Sequence, residues 1–586
     1  MDAPYRRPFD GIVMASLASR PRPKGTEPLP TTHAGDPSDS SHRHPNAAVA
    51  LVRTLEALGV EFLFGMDAPA AVQAALGDSD IRAITVRDER SGAFMADGYA
   101  KVSGKPGVMG IGGVGATNTI QGVAESSLSS TPVVLLVEEG SGATRHKNDL
   151  QDIDRTPLFA SITRWVGEIE RPERVADLTE YAFHIATSRR PGPVYLGCPW
   201  DVVSGDTEAV PVGLAQPSVY PSARSAPDPA RVAEVVALLT SSRRPVIVAG
   251  GGVLLSRATE ALARLAHLLG AAVATTPAGK GSFDELDALA AGVVGSYASG
   301  SGGHGRSAND VVRAADLVLL VGTSTGSGAT AGWTVPDPSQ TIVHLDVDPA
   351  EIGRNYRSSL PLVGDARLGL EVLATAIGDG PIRERWADPP PAAQPEPNHS
   401  DRLDPVAIYT ELQRAMDQDT IIVADAGYCA AWALDLLRFR VPGRRFLSPS
   451  AYGTLGYGFP AAIGAKLASP SSWVVCITGD GGFGYSLAEL ETAARCHIAV
   501  TVIVLNNSAL AWSRQYDRHF YGYEGETRFI DVDYAAVARG LGCDGIRVTT
   551  ADELAPAIAK AMASATTTVI DAVTDPEARA PVDMYN

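Results

Sequence analysis

The sequence predicts an α/β protein built from three consecutive doubly wound parallel-sheet domains. Short apolar runs alternate throughout with segments of helical periodicity, the pattern of parallel sheets covered by helices. Two stretches interrupt that alternation: residues 204–229, with Pro217, Pro221 and Pro227, and residues 378–404, with Pro389-Pro390-Pro391. Near the C-terminus a strand, a Gly-rich turn, a helix and a second strand follow one another, which makes a right-handed crossover. The expected organisation is therefore an extension (1–45), a first domain (46–203), a linker (204–229), a central domain (230–377), a linker (378–404), a third domain (405–575) and a short tail (576–586). A chain of 586 residues that is 45% hydrophobic can fill several cores.

In the first domain, strands are expected at Phe62–Gly65, Val108–Gly110, Val133–Val137 and Val194–Leu196. The central domain offers Val246–Ala249, Leu317–Val321 and Ile342–Leu345, and the third Ile421–Ala424, Trp473–Thr478 and Val500–Leu505. Leu487, Leu490, Ala493 and Ala494 recur at helical spacing between the last two strands. Both strands then end on one edge of the sheet, and Gly479 to Gly482 read as a turn that glycine makes at low cost. Asp480 and Asn507 stand at those two ends, 27 positions apart. A carboxylate, a carboxamide, a Gly-rich turn and a helix N-terminus suit a hard divalent cation holding a diphosphate.

Gly479-Asp480-Gly481 followed at this distance by Asn506-Asn507 resembles the motif of the thiamine diphosphate enzymes, in the branch of the acetolactate (acetohydroxyacid) synthase large subunits. The resemblance extends over about residues 46 to 575. It implies pyrimidine-binding, central and diphosphate-binding domains, the first and third sharing a topology. It also implies thiamine diphosphate and Mg2+ as cofactors, with Asp480, Asn507 and the backbone carbonyl of Ala509 as metal ligands. Gly427, Tyr428, Gly453, Leu455, Gly479, Asp480, Gly481, Gly482, Asn507 and Ala509 would form the cofactor site. Leu455, in Gly453-Thr454-Leu455-Gly456, takes the place of a bulky side chain that bends the cofactor. Tyr428 stands where Gln is usual.

Glu89 precedes Ala96-Asp97-Gly98-Tyr99, with Asp97 eight residues on, and so matches the family's catalytic glutamate, a buried carboxyl that shares a proton with the aminopyrimidine ring. Asp88 and Arg90 depart from the usual His and Gln. The run Gly110-Ile111-Gly112-Gly113-Val114-Gly115 formally matches a dinucleotide fingerprint, with Glu138 and Glu139 ending the next strand. By the resemblance it is instead a loop bordering the substrate, Val114 replacing Pro. Gly113, Val114, Gln151, Trp512 and Tyr516 are the expected substrate-pocket residues. The central domain's Gly250-Gly251-Gly252 and Asp346-Val347-Asp348-Pro349 accompany FAD or ADP in relatives. Thr323-Ser324-Thr325-Gly326 lacks the Arg of the FAD-binding synthases, so FAD, ADP and a vestigial site all stay open.

A formal charge of −18 without a basic cluster argues against nucleic acid. Five scattered cysteines fit a reducing compartment, and no long apolar run or secretory signal is evident, so the expectation is a soluble cytoplasmic protein. Residues 1–45 read as a loosely attached tail.

The implied activity is making or breaking a C–C bond beside a carbonyl, as in 2-oxo acid decarboxylation and carboligation. The substrate would be a 2-oxo acid or an acyl-CoA. The alternatives are a 2-hydroxyacyl-CoA lyase or oxalyl-CoA decarboxylase type, an NAD-dependent dehydrogenase, and a cofactor-binding subunit without activity. The family builds its site between the first domain of one subunit and the third of another, which implies a homodimer at minimum and a homotetramer beyond it.

Overall fold

Eighteen strands form three six-stranded sheets in a computed structural model that describes residues 46–211, 219–296, 304–378, 382–388, 402–580 and 582. The extension 1–45 lies outside the described residues. In the first domain the strands are β1 (Phe62–Gly65), β2 (Arg82–Thr85), β3 (Gly107–Ile111), β4 (Val133–Glu139), β5 (Val166–Glu168) and β6 (Val194–Pro199). The central domain has β7 (Pro245–Ala249), β8 (Ala272–Thr275), β9 (Ala290–Val293), β10 (Leu317–Val321), β11 (Thr341–Asp346) and β12 (Leu360–Val363). The third has β13 (Ile421–Ala424), β14 (Phe446–Leu447), β15 (Val474–Gly479), β16 (Thr501–Asn506), β17 (Asp544–Val548) and β18 (Thr568–Val573).

The first sheet runs β2-β1-β3-β4-β6-β5 and the third β14-β13-β15-β16-β18-β17, the same order of connections. The central sheet runs β12-β11-β10-β7-β8-β9. Every pairing is parallel. The inner strands are apolar on both faces, as sheets covered by helices require. The strands that the sequence pattern leaves out are mostly edge strands or partly exposed ones, such as β2 and β17.

The helices Glu89–Ser103 and Gly458–Ala468 lock the first domain onto the third. A Cβ on Gly98 would lie 2.2 Å from the Ala461 carbonyl oxygen, and one on Gly464 would lie 2.0 Å from that of Met95. Phe94 and Tyr457 pack edge to face in the same cluster. The central domain is fastened by Lys280, wholly buried, whose ammonium donates to the Leu437 carbonyl at 2.8 Å and pairs with Glu285 at 3.0 Å.

The described parts of the two expected linkers are tied to the domains. Tyr220 is buried and donates its hydroxyl to the Ala100 carbonyl, and Trp386 donates its indole N–H to the Pro245 carbonyl.

Candidate active site

The chain reverses direction in the third sheet between β13 and β15, and the carboxyl ends of strands at such a point form a natural crevice. Asp480 follows β15 and Asn507 follows β16. Their side chains converge on one backbone group: the Ala509 N–H donates to Asp480 Oδ2 at 3.2 Å and to Asn507 Oδ1 at 3.1 Å. Asp480 also accepts the Gly481 N–H at 2.8 Å. Burial pushes its carboxyl up to about 6, and the backbone N–H donors pull the other way. Strand alternation decides which asparagine faces the crevice. Asn506 is the last residue of β16 and points away, donating to Asp571 and to the Val532 carbonyl.

The glycines after β15 are there for space. Gly479 has φ −79°, and neither Gly481 nor Gly482 has a positive φ, which corrects the expectation of a turn needing glycine's backbone freedom. A Cβ on Gly481 would lie 2.5 Å from Leu510 Cδ2, and one on Gly482 2.8 Å from Asp425 Oδ2. Gly427 (φ +108°) and Gly453 (φ +79°) do require glycine on conformational grounds.

A cavity of about 880 Å³ opens over this edge, lined by Gly427, Tyr428, Gly453, Leu455, Gly479–Gly482, Asn507, Ala509 and Trp512. At Gly427, Gly453 and Gly479 nothing lies within 4 Å of where a Cβ would be, so all three leave room for a ligand. A buried carboxylate, a carboxamide and a glycine-walled floor fit a divalent cation and a diphosphate. Tyr428 packs on Trp512 and Trp432, with ring centroids 5.3 and 5.6 Å away. The cavity continues to the central domain, where Gly251, Gly252, Asp346, Glu351 and Asp365 line it.

Glu89 opens the helix Glu89–Ser103, which Asp88 caps by accepting the Arg90 N–H at 2.8 Å. The Asn118 amide donates to Glu89 Oε2 at 2.9 Å and to Asp88 Oδ1 at 3.1 Å, which orients the catalytic candidate. Gly115 must be glycine here, since its Cβ would lie 2.6 Å from Glu89 Oε1. Glu489, buried, reaches across from the third domain and accepts the N–H groups of Arg87 and Asp88. Arg90 pairs with Asp88 and lies over the Tyr485 ring.

Gly113 and Gln151 meet at Arg155, which donates to the Gly113 carbonyl at 2.9 Å and the Gln151 carbonyl at 3.0 Å. Its third contact is Glu139, at 2.5 Å. The carboxylates that completed the dinucleotide fingerprint are thereby committed, Glu139 to Arg155 and Tyr195 and Glu138 to the Ala70 N–H.

Three family profiles match the chain in order. Residues 45–158 match "Thiamine pyrophosphate enzyme, N-terminal TPP binding domain", 232–373 the family's central domain and 425–572 its C-terminal TPP binding domain. The "Probable acetolactate synthase large subunit" of Methanocaldococcus jannaschii is 33% identical over 557 residues, covering 91% of this chain and 93% of that one. The protein of the same name from Methanococcus aeolicus is 33% identical, at 91% and 92% coverage. The "Acetolactate synthase large subunit" of Corynebacterium glutamicum is 30% identical, at 91% and 87%. The chain belongs to the thiamine diphosphate enzyme family.

Within that family's frame, the diphosphate-binding domain presents the metal-binding candidates together and the pyrimidine-binding domain presents Glu89. The two halves do not share a cavity within one chain: Glu89, Gly113, Val114 and Gln151 do not line the cavity that holds Asp480. Glu89 is half-buried in the single chain, Val114 is 65% exposed and Gln151 is exposed. Trp512 lines the cavity, whereas Tyr516 packs on Phe520 (4.5 Å) and Tyr521 away from it. The contacts of Asn118, Arg155 and Glu489 were not evident from sequence. All five cysteines are buried and free, as core residues. Among the described residues no helix is long and apolar enough to cross a membrane.

Proposed function

We propose that this chain is a thiamine diphosphate- and Mg2+-dependent carboligase that decarboxylates a 2-oxo acid and joins the acyl unit to a second carbonyl compound, in the manner of an acetolactate synthase. The convergence of Asp480 and Asn507 on the Ala509 amide carries this reading. Asp480, Asn507 and the Ala509 carbonyl would hold the cation. Gly427, Tyr428, Gly453 and the Gly479–Gly482 backbone would hold the diphosphate. Bound there, the cofactor supplies the carbon nucleophile and the electron sink.

The chain's own residues bind, orient and move a proton. Glu89 Oε1 would share a proton with the aminopyrimidine of a bound cofactor, while Asn118 fixes Oε2. Leu455 gives the cavity a bulky apolar wall that positions the rings. Gly113 and Gln151, tied through Arg155, would with Val114 form the wall against which the 2-oxo acid lies, opposite Trp512.

Because Glu89 does not line the Asp480 cavity of its own chain, we place each site between two copies, the first domain of one facing the third domain of the other. A homodimer is the smallest active unit and a homotetramer pairs two of them. At the central-domain end of the cavity we place an adenine nucleotide, as FAD or as ADP. Glu351 supports this, because its carboxylate is buried in the cavity wall with Oε2 unpartnered among the described residues.

Complementation tests the shared site. Glu89→Gln and Asp480→Ala are each expected to be inactive in pyruvate consumption with thiamine diphosphate and Mg2+. Mixed after denaturation and refolding, they should recover about a quarter of wild-type activity, as half the dimers carry one intact site. No recovery would place both residues in one chain's site, and activity of either variant alone would remove its assigned role.

A further inference from the structure

Glu125 lies on the helix Ile120–Leu128 of the first domain, wholly buried, yet its hydrogen bonds leave that domain. Its Oε2 accepts the Tyr452 N–H at 3.2 Å and the Thr454 hydroxyl at 3.2 Å. These two residues start the turn that carries Leu455 into the cofactor cavity. The far end of the turn is held from the third domain itself: Gly456 N–H donates to both oxygens of Asp425, at 3.1 and 3.2 Å. Asp425 also accepts the Thr478 hydroxyl at 3.0 Å, at the end of β15, so it ties the turn to the strand that presents Asp480. Gly453 and Gly456, at φ +79° and +83°, give the turn its shape, and neither is replaceable without strain. A short turn between two buried carboxyls, one from each domain, has little freedom of its own.

We propose that Glu125 is a positioning residue for the cofactor site: it fixes the turn 452–456, and with it the Leu455 wall, to the docking of the first domain on the third. The inference rests on reading the cavity as the thiamine diphosphate site. Among the described residues, no other side chain of the first domain hydrogen-bonds to residues 452–456. Glu125 Oε1 has no hydrogen-bond partner among the described residues, so the carboxyl is spent on the turn alone.

The charged groups facing Glu125 from the neighbouring helix Glu89–Ser103 are Lys101 and Asp97, paired with each other at 2.7 Å. From the third domain, Tyr457 donates to Asp97 and accepts from Lys101. Lys101 is therefore committed elsewhere. Burial, against Lys101, pushes Glu125 up to about 7. An uncharged acceptor then serves the same purpose, and Glu125→Gln is the informative conservative variant.

The test is calorimetric titration of the full-length protein with thiamine diphosphate at saturating Mg2+, beside a denaturant midpoint for each variant. Glu125→Ala leaves the Tyr452 N–H and the Thr454 hydroxyl unpaired and is expected to weaken binding about tenfold. Glu125→Gln should restore affinity to within about threefold of wild type, since its carbonyl can accept both donors. If Glu125→Ala does not fold, Thr454→Val carries the test, with an expected loss of about threefold. A folded Glu125→Ala with wild-type affinity overturns the inference, as does a Glu125→Gln that loses as much as the alanine variant. A wild-type protein that binds no thiamine diphosphate overturns the reading of the cavity itself, which separates the two failures.

Discussion

Asn506 and Asn507 are adjacent and chemically identical, and their side chains do different work. Asn507 turns its carboxamide oxygen toward the Ala509 amide shared with Asp480, whereas Asn506 is sealed against Asp571. Asp571 also accepts the Tyr534 N–H and pairs with Arg547, so Asn506 completes a buried polar cluster. Asn507→Ala should therefore weaken Mg2+-dependent cofactor binding by at least about tenfold with an unchanged denaturant midpoint. Asn506→Ala should do the reverse, costing about 1–3 kcal/mol of stability with affinity little altered. Calorimetry and urea unfolding on the pair check this, and equal losses of affinity would refute the assignment. The Asn-Asn dipeptide itself was legible in the sequence. Which of the two faces the cavity follows from where β16 ends, one residue after the predicted strand.

The decisive contact between elements is the crossing of the helices Glu89–Ser103 and Gly458–Ala468. Nothing local in either helix announces their meeting, because glycines such as Gly98 and Gly464 are costly in an isolated helix and look like weaknesses there. In the structure they are the contact surface, each with a carbonyl of the other helix where its side chain would begin. Gly464→Ala is expected to lower stability by about 1–3 kcal/mol, read as a lower urea midpoint. A fully tolerated alanine would mean that the helices are not seated this closely. The same crossing brings Glu489 under the start of the Glu89 helix and Glu125 under the turn carrying Leu455. Domain packing thus reaches both halves of the site.

At the scale of the molecule, several carboxyls are buried with their affinity for protons raised. Glu125 and Glu489 are pushed up to about 7, and Asp425 to about 6, chiefly by burial. The folded chain then holds more protons than the unfolded chain between about pH 4.5 and 7. The stability these groups contribute is fully present below their unfolded values and is lost as pH rises through about 7. The midpoint of urea unfolding of the cofactor-free protein is expected to fall from pH 5 to pH 8. Glu489→Gln should flatten that fall, and a midpoint that rises over this range would contradict it. By itself the sequence determined the three α/β domains, the strand–turn–helix–strand unit and the residue types at Asp480, Asn507 and Glu89, because apolar periodicity and motif spacing are local in the chain. Only the tertiary structure decided that Arg155 joins Gly113 to Gln151 and that Tyr516 turns away from the cavity. The first bridges residues 42 positions apart and the second depends on how the helix Ala511–Tyr521 is seated, so both are set by tertiary packing and no local pattern encodes them.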